Sequence, residues 1–258
     1  MSIRIMAIPD TQCKPGGLDS HLEWAGLYAV DQRPDVIVFI GDHWDMPSLS
    51  SYDKGRKSFE GRRYTSDIVA GNDAMDRFML PIVTEQERLR RNKEKLWRPR
   101  MVFCLGNHEH RIERATEASA ELDGLLSYEH FNLSDYGFEV YPFLEVVDIE
   151  GVLFSHYFTS GVMGRPVSSA RLMLTKKMMS CFMGHVQDRD IAFARKGNGD
   201  AVTGIFGGIY YQHDEDYLTP QTNGSWSGIW ILNDVHNGSF DEMPVSIQYL
   251  RRKYHGGN

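Results

Sequence analysis

The chain has 258 residues, 41% of them hydrophobic and 24% charged, enough for one domain with a substantial core. Its formal net charge of −7 argues against a protein that coats nucleic acid by charge alone, but not against an enzyme of phosphate esters, where bound divalent metals supply local positive charge. No apolar run approaches the ~20 residues a membrane span needs, and the strand-like N-terminus lacks a signal-peptide layout, so a cytoplasmic protein with no membrane partner is expected.

Residues 3–9 read as a first strand, ending at Pro9-Asp10-Thr11-Gln12. Residues 19–33 follow as a helix, with Leu22, Ala25, Gly26, Ala29 and Val30 at helical spacing and Pro34 beyond its end. Residues 35–40 form a second strand that runs into Gly41-Asp42-His43-Trp44-Asp45. The resulting βαβ unit predicts parallel pairing. Residues 46–100 read as an insertion that caps or flanks the site. Within it a helix begins near Asn72, is interrupted or kinked at Pro81, and continues from Thr84 to Trp97 as a solvated stretch with pairs such as Glu87–Arg91. The more N-terminal cations Lys54, Arg56 and Arg62 lie directly after a motif and are candidates for substrate contact.

Residues 101–105 form a third strand, leading to Gly106-Asn107-His108-Glu109. A helix is expected over 112–131, with Ile112, Ala115, Leu122, Leu125 and Leu126 inward. Residues 138–149 and 152–156 read as paired strands around Glu150-Gly151, the second ending at His156. A helix over Arg165–Lys177, opened by Pro166, precedes the strand Ser180–Met183 and then Gly184-His185-Val186-Gln187. Strand-like runs follow at 189–194, 201–206, 226–235 and 244–251, with Asn237-Gly238 as a hairpin turn. Cys13, Cys104 and Cys181 form neither a disulfide framework nor a zinc pair.

Five strand-like runs therefore end, with one polarity, in a carboxylate, an amide or an imidazole. In open α/β sheets that edge is where ligands bind. This ordered set, Asp10-x-Gln12, Gly41-Asp42-x-x-Asp45, Gly106-Asn107-His108-Glu109, His156 and Gly184-His185-x-Gln187, resembles the calcineurin-like metallophosphoesterases. The run Ile8-Pro9-Asp10-Thr11-Gln12 also looks like bacteriophage-encoded members. The resemblance implies an α/β fold, a four-layer α/β/β/α sandwich of two mixed sheets, and a single domain over residues 1–258. It further implies two divalent metal ions and hydrolysis of a phosphoester. Asp10, Gln12, Asp42 and Gln187 would hold one ion, and Asp42, Asn107, His156 and His185 the other, with Asp42 bridging. His108 would be the general acid or phosphate contact and Asp45 the carboxylate that orients it. Glu109 is expected to support the ligands rather than be one.

Three positions depart from the family pattern. Gln12 and Gln187 stand where His is commoner, leaving an all-oxygen first site that should favour Mn²⁺ or Mg²⁺ over Zn²⁺. Mn²⁺ is the expected metal, with Mg²⁺, Fe²⁺ and Zn²⁺ as alternatives. Met46 stands where the phosphoprotein phosphatases carry Arg, which disfavours a phosphoprotein substrate. The resulting expectation is a phosphodiesterase or nuclease acting on nucleic acid or nucleotides. The alternatives are a phosphomonoesterase and a catalytically degenerate binding scaffold. His110 and Arg111 could reach a phosphate, while Tyr157, Tyr210, Tyr211 and His213 could line the pocket and stack a base, or belong to core and rim. His43 is read as a residue between motif positions that faces solvent.

Overall fold

In the computed structural model, residues 2–51, 53–212 and 225–255 are described. His213 lies outside them, as does the tail from Gly256. Strict alternation in the first strands sets the architecture. In β1 (Ile3–Ile8), β2 (Val36–Phe39) and β3 (Arg100–Cys104), Met6, Ile8, Ile37, Phe39, Met101 and Phe103 turn to one face, and Ile5, Ala7, Val36, Val38, Val102 and Cys104 to the other. Both faces are buried, so the sheet needs cover on both sides.

The remaining strands are β4 (Phe138–Tyr141), β5 (Val147–Ile149), β6 (Val152–Ser155), β7 (Ser180–Met183), β8 (Arg189–Arg195), β9 (Ala201–Gly207), β10 (Gly228–His236) and β11 (Ser239–Ser246). The first sheet runs β11-β10-β1-β2-β3-β4 and the second β5-β6-β7-β9-β8. β1 through β4 are parallel neighbours, as are β6, β7 and β9, while β10, β11, β5 and β8 pair antiparallel. Phe154, Phe182 and Ile205 of the second sheet pack against the inner face of the first.

On the outer face of the first sheet lie α1 (Ser20–Gln32), α2 (Tyr64–Arg91) and α5 (Ile247–Tyr254). α4 (Ala170–Lys177) covers the outer face of the second, with Met173 and Leu174 against Cys181, Met183 and Phe206. The order helix, sheet, sheet, helix is the four-layer α/β/β/α sandwich. A short helix, α3 (Arg111–Ala118), follows β3 at the strand-end edge and sends Ile112 into the core. No helix among the described residues is long and apolar enough to cross a membrane.

Several expected boundaries move. The helix expected from Asn72 begins at Tyr64 and is continuous through Pro81. It is part of the outer layer: Ala74, Met75, Phe78 and Ile82 are core residues. Gly26 of α1 makes this packing possible, since a Cβ there would stand 2.2 Å from the Phe78 carbonyl oxygen. Of residues 46–100, the segment before α2 and the first turn of α2 reach the site. The helix expected over 112–131 stops at Ala118, and two short 3-10 turns follow. Between those turns Gly124 adopts φ +77° and Leu125 is exposed.

Residues 138–149 are not one strand. β4 ends before Pro142, and the chain crosses to the second sheet as β5. The α4 helix begins five residues later than Arg165, where the Ser169 hydroxyl accepts from the Leu172 N–H at 3.2 Å. Likewise the strand expected over 244–251 is instead the end of β11, which stops at Ser246; the Ser246 hydroxyl accepts from the Tyr249 N–H at 3.3 Å and starts α5. The two hairpin turns are as expected, with Glu150-Gly151 and Asn237-Gly238 all at positive φ.

Candidate metal and phosphate site

The carboxyl ends of β1, β2 and β3 meet those of β6 and β7 where the two sheets face each other. Contacts between the sheets fix this junction. The His185 N–H donates to the Asp10 carboxylate at 3.0 Å, and His156 Nδ1 lies 2.8 Å from the Ile40 carbonyl oxygen. Two glycines allow the loops to close. A Cβ on Gly106 would stand 2.2 Å from Asp42 Oδ1, and one on Gly184 would stand 2.2 Å from Asp10 Oδ1. Gln12, Asp42, Met46 and His185 are all non-glycine residues at positive φ, a local strain of the kind held in place at functional sites.

Four of the expected ligands converge. Asn107 Oδ1 lies 2.8 Å from His156 Nε2 and 2.7 Å from His185 Nδ1, and Asp42 Oδ2 lies 3.4 Å from His156 Nε2. The ligand atoms of Asp42, His156 and His185 all lie within 4.8 Å of one another. Burial holds the His156 imidazole below its ordinary range, and burial with His156 alongside brings His185 down to about 4. Both rings are therefore neutral near pH 7. With Nδ1–H donating to Ile40, His156 turns a lone pair toward two oxygens that also offer lone pairs. Acceptors facing acceptors fit a bound cation.

Two members of the second expected group, Asp10 and Gln12, follow β1. Asp10 is buried, and burial together with the nearby Asp42 raises its carboxyl well above the usual range. Gln12 is 4% exposed, and its Oε1 is buried with no hydrogen-bond partner. A buried amide oxygen with no partner suits a hard cation. Gln187 is partly buried in the turn after β7.

His108 stands beside the cluster. Its Nδ1 is 2.7 Å from Asp45 Oδ1, its Nε2 is 3.7 Å from Asp42 Oδ2, and its N–H donates to Asp42 Oδ1 at 2.8 Å. Burial opposes a charge on this ring, but Asp42 and Asp45 outweigh it and lift it to about 9. Glu109 is no ligand. Its Oε2 accepts from the N–H groups of Asp42 and Gly106 at 2.9 and 2.8 Å, and its Oε1 from those of His43 and Trp44 at 2.6 and 3.0 Å.

His43 does not face solvent. It is fully buried, with Nδ1 2.7 Å from Thr11 Oγ1 and Nε2 2.9 Å from the Gly71 carbonyl oxygen.

A cavity of about 980 Å³ opens on this junction, lined by Asn107, His108, Asp45 and Arg111 on one side and by residues of the 47–67 loop on the other. Arg56 and Arg62 line it, but Arg62 is held by Asp53 Oδ2 at 2.7 Å and the Pro47 carbonyl at 3.0 Å. Lys54 is exposed and outside the lining. His110 also turns away, stacked on Phe143 at 4.8 Å between centroids. Tyr210 is core, its hydroxyl donating to the His21 carbonyl at 2.6 Å, and Tyr211 is also buried. Tyr157 packs 4.6 Å from the His185 ring and donates to Gly164 O at 3.2 Å. Arg63, of the same basic cluster, also lines the cavity, as do Lys14 and Arg114, cations that reading the motifs alone passes over. Lys14 lies two residues past Gln12, and Arg114 one helical turn from Arg111.

No family model and no curated protein matches the chain. Among solved structures it is similar to YfcE, a phosphoesterase from E. coli, at 13% identity and a TM-score of 0.38, over 95% of this chain and 100% of that one. It is also similar to a conserved Streptococcus pneumoniae protein described as a predicted phosphoesterase, at 9% identity and a TM-score of 0.33, over 95% and 99%. Both likenesses are distant, and the geometry above carries the reading that follows.

Proposed function

We propose that this protein is a metal-dependent phosphoesterase with a dinuclear centre, and specifically a phosphodiesterase or nuclease acting on nucleic acid or nucleotides. One observation carries the reading. The lone pairs of Asp42, Asn107, His156 and His185 converge on one point, directly beside the His108–Asp45 pair.

Asp42, Asn107, His156 and His185 would hold one ion, and Asp10, Gln12, Asp42 and Gln187 the other, with Mn²⁺ the metal that this oxygen-rich set favours. Such a pair, when bound, supplies a nucleophile at neutral pH and offsets the negative charge building on the phosphate oxygens. The chain's own residues do the rest. Glu109 fixes the loop that carries Asp42. Asp45 holds the Nδ1–H of His108, so Nε2 is the atom that passes a proton to the leaving oxygen. The 47–67 loop and α3 surround the bound ester with basic side chains.

A diester is favoured over a monoester because Met46 stands where a phosphatase-type Arg would be, and the cavity of about 980 Å³ beside Asn107 and His108 is larger than a lone phosphate fills. The test compares bis(p-nitrophenyl) phosphate with p-nitrophenyl phosphate, each with Mn²⁺. Faster turnover of the diester supports the reading. A preference for the monoester makes the protein a phosphatase, and no turnover of either across several divalent metals makes it a scaffold.

A further inference from the structure

Arg111, the first residue of α3, presents a guanidinium that is held from behind. Its Nη1 donates to the main-chain oxygen of Asp45 at 2.7 Å and of Met46 at 3.1 Å. Met46 is itself fully buried and fixed at φ +50°, so these carbonyls form a rigid seat. The other end of the fork points into the cavity, where Nη2 lies 3.0 Å from His108 Nε2. Because Nδ1 of that ring is taken by Asp45, Nε2 is the nitrogen left for a substrate.

The contact between Nη2 and Nε2 is one that an anion improves. With His108 neutral, the guanidinium donates to Nε2 and covers it. With His108 charged, two donors face each other 3.0 Å apart. In either state a non-bridging phosphate oxygen is the stronger partner, since it accepts a charge-assisted bond from Arg and leaves Nε2 uncovered. Arg62, by contrast, is occupied by Asp53 and Pro47. A planar, doubly anchored guanidinium beside a proton donor is suited to phosphate as a point charge is not.

We propose that Arg111 is the phosphate clamp of this site, binding a non-bridging oxygen of the substrate through Nη2 and, in doing so, leaving His108 Nε2 free to face the leaving group. This rests on the phosphoesterase reading above and names the residue through which that site takes its anion. No cation at position 46 is then required: the charge arrives from α3, and the main chain at Asp45 and Met46 anchors it.

The test uses Arg111→Ala and Arg111→Lys. Inorganic phosphate is titrated calorimetrically into the Mg²⁺-loaded protein, and KM and kcat are measured on bis(p-nitrophenyl) phosphate with Mn²⁺. In Arg111→Ala the phosphate Kd and the KM are expected to rise about 10- to 100-fold, the range for one charge-assisted hydrogen bond. The loss in kcat is expected to be smaller. Arg111→Lys recovers only part, because an ammonium gathers its donors on one atom and lacks the fork that reaches the carbonyls through Nη1 and the phosphate through Nη2. Mn²⁺ binding stays as in the wild type, which separates a lost clamp from a damaged metal cluster. If Arg111→Ala folds poorly, Arg111→Gln carries the same test. Phosphate affinity equal to wild type in these variants, or none in the wild type, overturns the proposal. A wild-type protein that binds phosphate through Arg111 yet hydrolyses no ester leaves the clamp standing and removes the phosphoesterase reading. An active wild type whose KM is unmoved by Arg111→Ala does the reverse.

Discussion

Glu109 accepts a hydrogen bond from the Asp42 N–H at 2.9 Å, and this contact joins the loop after β2 to the loop after β3. The carboxylate takes three further main-chain N–H groups, those of His43, Trp44 and Gly106. Its burial, with Asp42 nearby, raises it to about 7. An amide has only one oxygen. Glu109→Gln would leave two of those N–H groups facing an NH₂, at ~1–3 kcal/mol each. The expected outcome is a lower melting temperature and weaker Mn²⁺ binding, although no ligand has been changed. A melt and a Mn²⁺ titration that both match wild type would show the loops to be held by other contacts.

His43 is expected to make the fold acid-sensitive. Burial, only partly offset by the hydrogen bond to Gly71, brings its imidazole down to about 4. In the unfolded chain it titrates near ~6.5. Between those values the unfolded state binds the extra proton, so stability is complete above ~6.5 and falls as pH drops toward 4, by roughly 3 kcal/mol in total. His43→Gln removes the titration. Melts from pH 7 to pH 4 should show a shallower slope for the variant than for the wild type. Equal slopes would assign the acid sensitivity to other groups.

His108 is assigned to proton transfer rather than metal binding. Its Nδ1 is committed to Asp45 at 2.7 Å, and its Nε2 lies 3.7 Å from Asp42. His108→Asn is expected to bind metal near normally and to lose ~10²–10⁴ in turnover. A large loss of bound metal in this variant would instead make His108 a ligand.

Gln12 and Gln187 are expected to set metal preference. The buried, partnerless Oε1 of Gln12 supports this for Gln12. Calorimetric titration of metal-free protein with Mn²⁺ should show two events of different affinity. Gln12→His with Gln187→His should tighten only the weaker one and move its preference toward metals that accept nitrogen. If both events are unaltered, the second ion is held by other residues.

The cluster itself was legible in the sequence, because a strand followed by Gly and a polar residue places that residue at a fixed edge. Asp42, Asn107 and His185 follow this rule, while Asp10 comes after Pro9 and His156 directly after the last residue of its strand. What the pattern could not show was set by tertiary context. His43 sits among motif residues yet is drawn into the core by Thr11 and Gly71. Arg56 and Arg62 share a charged run with Lys54, but only a folded loop decides which of them reaches the cavity. Ser169 and Ser246 start helices by capping them, where the sequence pointed to a helix opened by Pro166 and to a strand over 244–251. The 28-residue α2 runs through Pro81 because its apolar face packs on α1 and the sheet, a packing that no local propensity shows.

The most direct measurement is the rate of bis(p-nitrophenyl) phosphate hydrolysis by metal-stripped protein as Mn²⁺ is added back, run beside Asp42→Ala. Asp42 is the one side chain assigned to both ions, and removing it takes away ligation rather than core volume. The account predicts no turnover without metal, a rise with added Mn²⁺ in the wild type, and a flat line for a folded Asp42→Ala. Full activity in Asp42→Ala, or turnover by the wild type that is indifferent to Mn²⁺, would contradict it.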